Sequence, residues 1–179
     1  VRIVPGMTAA QAVASRVGAP LGHDFAMISL SDRLKPWDVV EKRLRAVLGA
    51  DMAFAVYNPA SKTRRAQVVA LRDIVAEHRG PDTPVIVARA VGAPEEKVTV
   101  TTVADLDPEV VDMRTMLIVG ASSTRAYDGV DGPRVFTARH YGGGGFAGTG
   151  ALGGDGLGGD GLGGDGTLGG DGALVGDRA

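Results

Sequence analysis

Basic side chains lie at predicted strand ends and at the start of a predicted helix, where they could bind a ligand that carries carboxylates. Lys62, Arg64 and Arg65 begin the helix, Arg89 lies at a strand end, and Arg125 lies in a late loop. Guanidinium groups and helix N-termini both favour carboxylates, through charge and through unpaired N–H donors. The pattern indicates either a site for a polycarboxylate ligand or a solvated helix start with incidental charges.

Turns built of small residues follow the predicted strands and could supply the rest of such a site. They are Pro5–Ala9, Ser29–Asp32, Tyr57–Pro59, Ala90–Gly92 and Gly120–Arg125. Backbone N–H and carbonyl groups are left unpaired where strands end, and α/β proteins bind ligands there. If the strands are aligned, many of these turns can line one cleft; the alternative is that each is an ordinary connection.

Other kinds of chemistry have no matching pattern in the sequence. It contains neither a GxGxxG nor a Walker segment, and no serine stands in a nucleophile elbow. The chain has no cysteine, and His23, His78 and His140 are too far apart in sequence to suggest a metal site. We therefore predict no metal, and the residues assign no catalytic side chain.

Composition and charge narrow the classes of partner. The 179 residues carry a formal net charge of −2, and the acidic residues of the glycine-rich end leave the remainder close to neutral. Such a balance does not suggest nucleic-acid binding, and no apolar run approaches the length of a membrane span. With no targeting segment visible, the cytoplasm is the expected location.

Short apolar runs separated by glycine, proline and polar breaks predict an α/β domain with a mixed five-stranded sheet flanked by helices. The predicted strands are 25–30, 52–57, 84–91, 97–103 and 115–120. The predicted helices are 8–18, 36–48 and a third that begins near residues 61–64 and ends at 78. Residues 1–4 read as a strand end, and 122–134 as a polar loop before a short extended segment. Near copies of LGGDG after residue 142 cannot form a core and predict a disordered tail over 142–179.

Several segments resemble, in order and spacing, the tetrapyrrole (corrin/porphyrin) methyltransferase family, and in particular its precorrin-3B C17-methylating branch. They are VPGMTAAQA (4–12), GAPLGHDFAMISLSDRLKPWDVVEKRL (18–44), AVYNPASKTR (55–64), EKVTVTTVADL (96–106) and DMRTMLIVGASSTR (112–125). Together they extend over essentially residues 1–141. Because they occur in series, they are more specific than any one of them alone.

The resemblance implies a two-domain α/β enzyme that binds S-adenosyl-L-methionine in a cleft between its domains. It places Thr101 and Thr102 near that cleft and makes Arg64, Arg65, Arg89 and Arg125 candidate ligands for the substrate. The positions that match the family's cofactor contacts are Thr8, Ala9, Tyr57, Asn58, Val91 and Gly92.

The implied reaction is methyl transfer to C17 of precorrin-3B with contraction of the macrocycle, in cobalamin biosynthesis. In the implied organisation, residues 1–24 are a remnant of an N-terminal domain and linker, and residues 25–141 are the C-terminal domain. The resemblance also implies that homodimers can form. The family's GPG and GDP segments do not occur here, so we expect the chain alone to be inactive. The alternative is a non-catalytic oligomerisation or binding remnant of such an enzyme.

Overall fold

The computed structural model describes residues 1–61 and 65–139. The predicted tail over 142–179 lies outside the described residues, as do Lys62, Arg64 and His140. The helices are α1 (Ala9–Val17), α2 (Trp37–Gly49) and α3 (Ala66–His78), with a short 3-10 helix at Pro108–Val110. The strands are β1 (Gly18–Ala19), β2 (Phe25–Ser29), β3 (Ala53–Tyr57), β4 (Pro84–Arg89), β5 (Lys97–Thr102), β6 (Thr115–Val119), β7 (Thr124–Gly129) and β8 (Gly132–Thr137).

A five-stranded sheet with the order β2-β3-β6-β4-β5 forms the centre of the fold. Strands β2 and β3 are parallel, β6 is antiparallel to both β3 and β4, and β5 is antiparallel to β4. Strands β2, β3 and β4 therefore all point in one direction. The predicted α/β class and mixed five-stranded sheet are confirmed.

Both faces of this sheet are buried along its central strands β3, β4 and β6, which explains why these strands are apolar at nearly every position. Alternate residues of a strand point to opposite faces. Phe54 and Val56 of β3 face the layer of α2 and α3, whereas Ala55 faces α1. In β6, Leu117 and Ile118 divide in the same way. The sheet is thus the middle of three layers.

Helix α1 begins at a capping box, as the sequence predicts for Thr8. The Thr8 hydroxyl accepts a hydrogen bond from the Gln11 N–H at 3.3 Å, and the Gln11 side chain accepts one from the Thr8 N–H at 3.1 Å. Val13 and Val17 are buried on the sheet. The cap fixes where the helix starts, and the apolar stripe fixes which side of it packs against the sheet.

Three predictions about secondary structure are wrong. Residues 1–4 form no strand, because no neighbouring strand pairs with them in the described part of the chain. Helix α3 starts at Ala66, later than the predicted start near residues 61–64. Residues 122–134 are not simply a loop, since β7 and β8 form an antiparallel hairpin, and β8 also pairs in parallel with β1.

Among the described residues, none of the helices combines the length and the apolar character needed to cross a membrane.

Candidate functional site

The carboxyl ends of the parallel strands β2, β3 and β4 lie along one edge of the central sheet, which we call the carboxyl edge. The chain leaves β3 at Asn58 and β4 at Ala90, and the antiparallel β6 begins at Thr115 beside the end of β4. The Ala90 N–H donates to the Arg114 carbonyl at 3.0 Å, which joins the turn after β4 to the segment before β6. Several predicted site residues therefore share this edge.

A cleft of about 310 Å³ opens at the carboxyl edge between the start of α1, the end of β4 and the start of β6. Small side chains form much of its wall, and it is lined by Ala9, Ala12, Val13, Ala88, Ala90, Val91, Met113, Arg114, Thr115 and Met116. Its size is at the lower end of the range for small-molecule sites. Ala9 and Val91, which are far apart in sequence, meet in this cleft as the sequence predicts.

Other predicted cofactor contacts lie near the cleft without forming its wall. Thr8 and Gly92 are each next in sequence to a lining residue. Tyr57 and Asn58 end β3 at the same edge, but β6 separates β3 from β4, and neither residue lines the cleft. The Tyr57 side chain is 40% exposed, so it is accessible to a ligand that extends along the edge.

Two residues at this edge adopt backbone conformations that are unusual for their type. Asn58 has a φ of 50° and Ala90 a φ of 54°, each immediately after a parallel strand. Asn tolerates the left-handed region, but for alanine it costs roughly 1 kcal/mol or more. Strain of this kind often marks a ligand site, so it adds a separate reason to regard this edge as functional.

The expectation that many of the small-residue turns line one cleft is met by two of the five, Pro5–Ala9 and Ala90–Gly92, and Gly120–Arg125 lies away from the cleft altogether. Because β6 runs antiparallel to β4, its carboxyl end lies at the amino end of β4, where the Gly120 N–H donates to the Pro84 carbonyl at 2.9 Å. The Arg125 guanidinium is bound locally, to the Ser122 and Thr124 carbonyls at 2.7 and 2.9 Å. Arg125 thus lies at the opposite edge of the sheet from the cleft.

Thr101 and Thr102 also lie at the opposite edge. They pair with Val85 and Pro84 at the start of β4, because β5 runs antiparallel to it. The family resemblance places both residues near the cleft, but the strand register places them at the opposite edge of the sheet.

Two of the arginines predicted to bind substrate, Arg65 and Arg89, are engaged in ion pairs. Arg89 contacts Asp112 at 2.8 Å, and Arg65 contacts Glu109 at 2.8 Å. Burial tends to raise the pKa of Asp112, but hydrogen bonds from Arg89, Thr115 and the Arg114 N–H outweigh it and hold that pKa below its ordinary value. A substrate carboxylate would have to compete with these partners for the guanidinium groups.

Arg114 is a cleft residue that reasoning from the sequence missed. It lines the cleft beside Met113, and its guanidinium contacts Glu95 at 2.6 Å. The hydrogen bond from Arg114 lowers the pKa of Glu95, so that carboxyl is charged at neutral pH. The sequence signal for this residue is the DMR segment just before β6, which places Arg114 at the amino end of a strand that runs antiparallel to its neighbours.

Comparison with known proteins identifies the family to which the chain belongs. The family described as Tetrapyrrole (Corrin/Porphyrin) Methylases matches residues 1–107, which contain α1, β2 to β5 and most of the cleft wall. The chain belongs to the tetrapyrrole methylase family. The resemblance seen in the sequence is therefore confirmed.

Relatives within the tetrapyrrole methylase family are named as cobalamin-pathway enzymes. The chain is 57% identical over 145 residues to the cobalamin biosynthesis protein CobIJ of Mycobacterium tuberculosis, covering 79% of this chain and 28% of that protein. It is 44% identical over 142 residues to the precorrin-3B C(17)-methyltransferase of a Sinorhizobium species, covering 79% of this chain and 56% of that enzyme. Several relatives are thus named methyltransferases.

A solved structure of the family gives the same result for the fold. The crystal structure of the methyltransferase CobJ superimposes with a TM-score of 0.71 at 46% sequence identity, over 76% of this chain and 56% of that chain. The chain therefore spans a little over half the length of CobJ and of the Sinorhizobium enzyme.

Proposed function

We propose that this chain supplies the C-terminal part of an S-adenosyl-L-methionine-dependent enzyme that methylates C17 of precorrin-3B with ring contraction, in cobalamin biosynthesis. The observation that carries the proposal is the meeting of Ala9 and Val91 in one cleft at the carboxyl edge. The 44% identity to the Sinorhizobium precorrin-3B C(17)-methyltransferase supports the choice of substrate.

The cleft residues fit part of an adenosyl cofactor. Ala9, Ala12 and Ala90 leave space for a flat group to approach the backbone, and the cleft of about 310 Å³ is open on one side for the remainder. When bound, the cofactor supplies an electrophilic methyl group on its sulfonium. This chain's residues would hold and orient the ligand and keep water out, since such chemistry depends mainly on alignment.

Arg114 and Met113 would contact the tetrapyrrole at the mouth of the cleft. Met113 is 67% exposed and offers an apolar surface for the macrocycle, while Arg114 offers a guanidinium for its acetate and propionate groups. Arg65 and Arg89 are further candidates, with Glu109 and Asp112 as their resting partners. The predicted site therefore combines small residues for the cofactor with cations for the substrate.

We also propose that the chain needs the segment that its relatives have and that it does not cover, that it works in the cytoplasm, and that the assembled enzyme forms homodimers. The domain division at residue 24 belongs to the same proposal. The chain spans 56% of the Sinorhizobium enzyme, which supports the need for a further half. Sedimentation of the assembled protein tests the dimer.

Calorimetric titration with S-adenosyl-homocysteine tests the function. The chain would be titrated alone and after mixing with the separately expressed N-terminal half of the Sinorhizobium relative. We expect binding in the mixture, with weak or no binding to either half alone. No binding in the mixture, together with a stable dimer of the chain by itself, would favour the non-catalytic oligomerisation remnant.

A further inference from the structure

The turn between β4 and β5, residues 90–96, forms one side of the cleft and is held by a network of its own. The Ala93 N–H donates to the Ala90 carbonyl at 3.0 Å, and the Glu96 N–H donates to the Ala93 carbonyl at 3.0 Å. These bonds set the local shape of the turn. They do not attach it to α1, on the other side of the cleft.

Glu96 makes that attachment. One oxygen of its carboxylate accepts a hydrogen bond from the Gly92 N–H at 2.7 Å, and the two oxygens receive the Arg16 guanidinium at 2.6 and 3.2 Å. Arg16 lies in the last turn of α1. A single carboxylate therefore joins the tip of the turn to the helix whose first residue, Ala9, lines the opposite wall.

Electrostatics keep Glu96 in the form that makes these bonds. The hydrogen bond from Arg16, followed by that from the Gly92 N–H, holds the pKa of Glu96 below its ordinary value. The carboxyl is therefore an ionised acceptor throughout the neutral range. A paired arginine-carboxylate contact also fixes geometry better than a single bond does.

We propose that Glu96 is a positioning residue of the cofactor site, which locks the Val91–Gly92 turn to α1 at the distance the cofactor requires. This inference rests on the proposed function, because it assigns a task to a residue beside the predicted cofactor contacts. Glu96 does not itself line the cleft. It acts through Gly92, and through Arg16 on α1.

The lock also decides which backbone groups remain for a ligand. The Gly92 N–H is used by Glu96, and Gly92 has a φ of 85°, a conformation that glycine adopts without strain. Among the described residues, the Val91 N–H has no hydrogen-bond partner. Gly92 therefore provides the conformation, and Val91 provides the free donor to the cofactor.

The test combines amide hydrogen exchange on the chain with S-adenosyl-homocysteine titration of the chain mixed with the N-terminal half. The variants are Glu96→Ala, Glu96→Gln and Arg16→Gln. Glu77→Ala is the control. Like Glu96→Ala, it removes a carboxylate that pairs with an arginine, here Arg45, but it does so on the α2–α3 side of the sheet. Unfolding midpoints of all variants report any general loss of stability.

We expect Glu96→Ala to speed exchange at Gly92 and to weaken S-adenosyl-homocysteine binding by about tenfold, as the loss of a charge-assisted hydrogen bond predicts. Glu96→Gln keeps an oxygen for the Gly92 N–H and should recover most of the affinity, with about a threefold loss. Glu77→Ala should leave both readouts unchanged even if its unfolding midpoint falls.

Unchanged affinity in Glu96→Ala, with the wild type binding normally, overturns the lock and leaves the proposed function intact. Unchanged exchange at Gly92 in the same variant also overturns the lock. A wild-type mixture that binds no S-adenosyl-homocysteine overturns the proposed function, and with it the cofactor role of Glu96. The two failures are therefore distinguishable.

Discussion

The two edges of the central sheet are built in different ways. At the carboxyl edge the turns after β3 and β4 contain residues with positive φ, a free Val91 N–H and an open cleft. At the opposite edge, side chains bind the polar groups of the turns. The Val91 N–H is left free where the predicted ligand binds, whereas charged side chains join the elements at the opposite edge. Strain and unpaired polar atoms do not separate the two edges, since Asp51 also has a positive φ of 54° and the Arg79 Nε has no hydrogen-bond partner among the described residues.

The opposite edge is centred on Arg79, at the end of α3. Its side chain is 6% exposed, lies 3.1 Å from the Asp51 carboxylate and donates to the Leu48 carbonyl at 3.0 Å. Asp51 in turn accepts bonds from the N–H and hydroxyl of Ser122. The ends of α2 and α3 and the turn after β6 are thus joined by two charged side chains. We therefore expect substitutions at this edge to lower the free energy of unfolding, and substitutions at the cleft to weaken binding of the cofactor.

The largest expected effect is that of Arg79→Ala. Removing the guanidinium leaves Asp51 and the Leu48 carbonyl without a buried partner, so the free energy of unfolding should fall by about 3 kcal/mol. Urea denaturation followed by circular dichroism measures the change. Arg72→Ala, which removes only an exposed pair with Asp73, should change stability by no more than about 0.5 kcal/mol. Equal effects of the two substitutions would contradict the difference between the edges.

Thr137→Val is expected to cause the second-largest loss of stability. The buried Thr137 hydroxyl donates to the Pro20 carbonyl at 2.6 Å and lies 2.8 Å from the Thr124 hydroxyl. Valine has a similar shape but removes the donor to the Pro20 carbonyl and one of the two partners of the Thr124 hydroxyl, which keeps its bond from the Ala121 N–H, so stability in urea denaturation should fall by about 2 kcal/mol. The control is Thr99→Val at an exposed position of β5. A Thr137→Val protein as stable as this control would mean that the hydroxyl bonds contribute nothing.

At the cleft, Ala12→Phe should act on binding and not on stability. Ala12 lines the cleft and is only partly buried, so a phenyl ring would fill the space without disrupting the core. We expect S-adenosyl-homocysteine affinity to fall by roughly tenfold in the mixture with the N-terminal half, while the unfolding midpoint stays nearly constant. Ser15→Phe, on an exposed position of the same helix, should bind normally. Normal binding by Ala12→Phe would place the cofactor elsewhere.

The smallest effect is a dependence of stability on pH that comes from Asp51. Burial tends to raise the pKa of Asp51, but the Ser122 bonds and the Arg79 charge outweigh it and lower that pKa. A lowered folded-state pKa stabilises the protein above the unfolded value, about 3.9, and the contribution is lost as pH falls through the folded value. The stability difference between wild type and Asp51→Asn should be flat above about pH 5 and shrink below it. A difference that does not vary with pH would refute this assignment.

The sequence predicted the central sheet because its strands are apolar on both faces. Each of β3, β4 and β6 packs against two hydrophobic clusters, so the runs are unbroken and easy to recognise. Strand β7 was missed because its residues from Arg125 to Asp128 are exposed and mostly polar, which leaves no apolar period to detect. The composition of an exposed strand therefore gives little indication that the strand forms.

The site was predicted only in part for a related reason. An unbroken apolar run does not reveal the direction of a strand, so nothing in TMLIV indicated that β6 runs antiparallel to its neighbours. That direction moves Arg125 away from the cleft and brings Arg114 to it. Ala9 and Val91 were found because the family motif marks them, whereas Glu96 carries no motif of its own.

The pairing of β1 with β8 has a consequence for synthesis. Gly18 lies opposite Val135, and a side chain at Gly18 would meet the Val135 carbonyl at 2.9 Å, so glycine is required for the close approach. Val135 is also buried in the cluster that covers α1. The first helix therefore leaves the ribosome long before the last strand that covers it. The apolar residues of α1 are fully covered only after nearly the whole domain has been translated. Completion of this layer is therefore a late and slow step of folding.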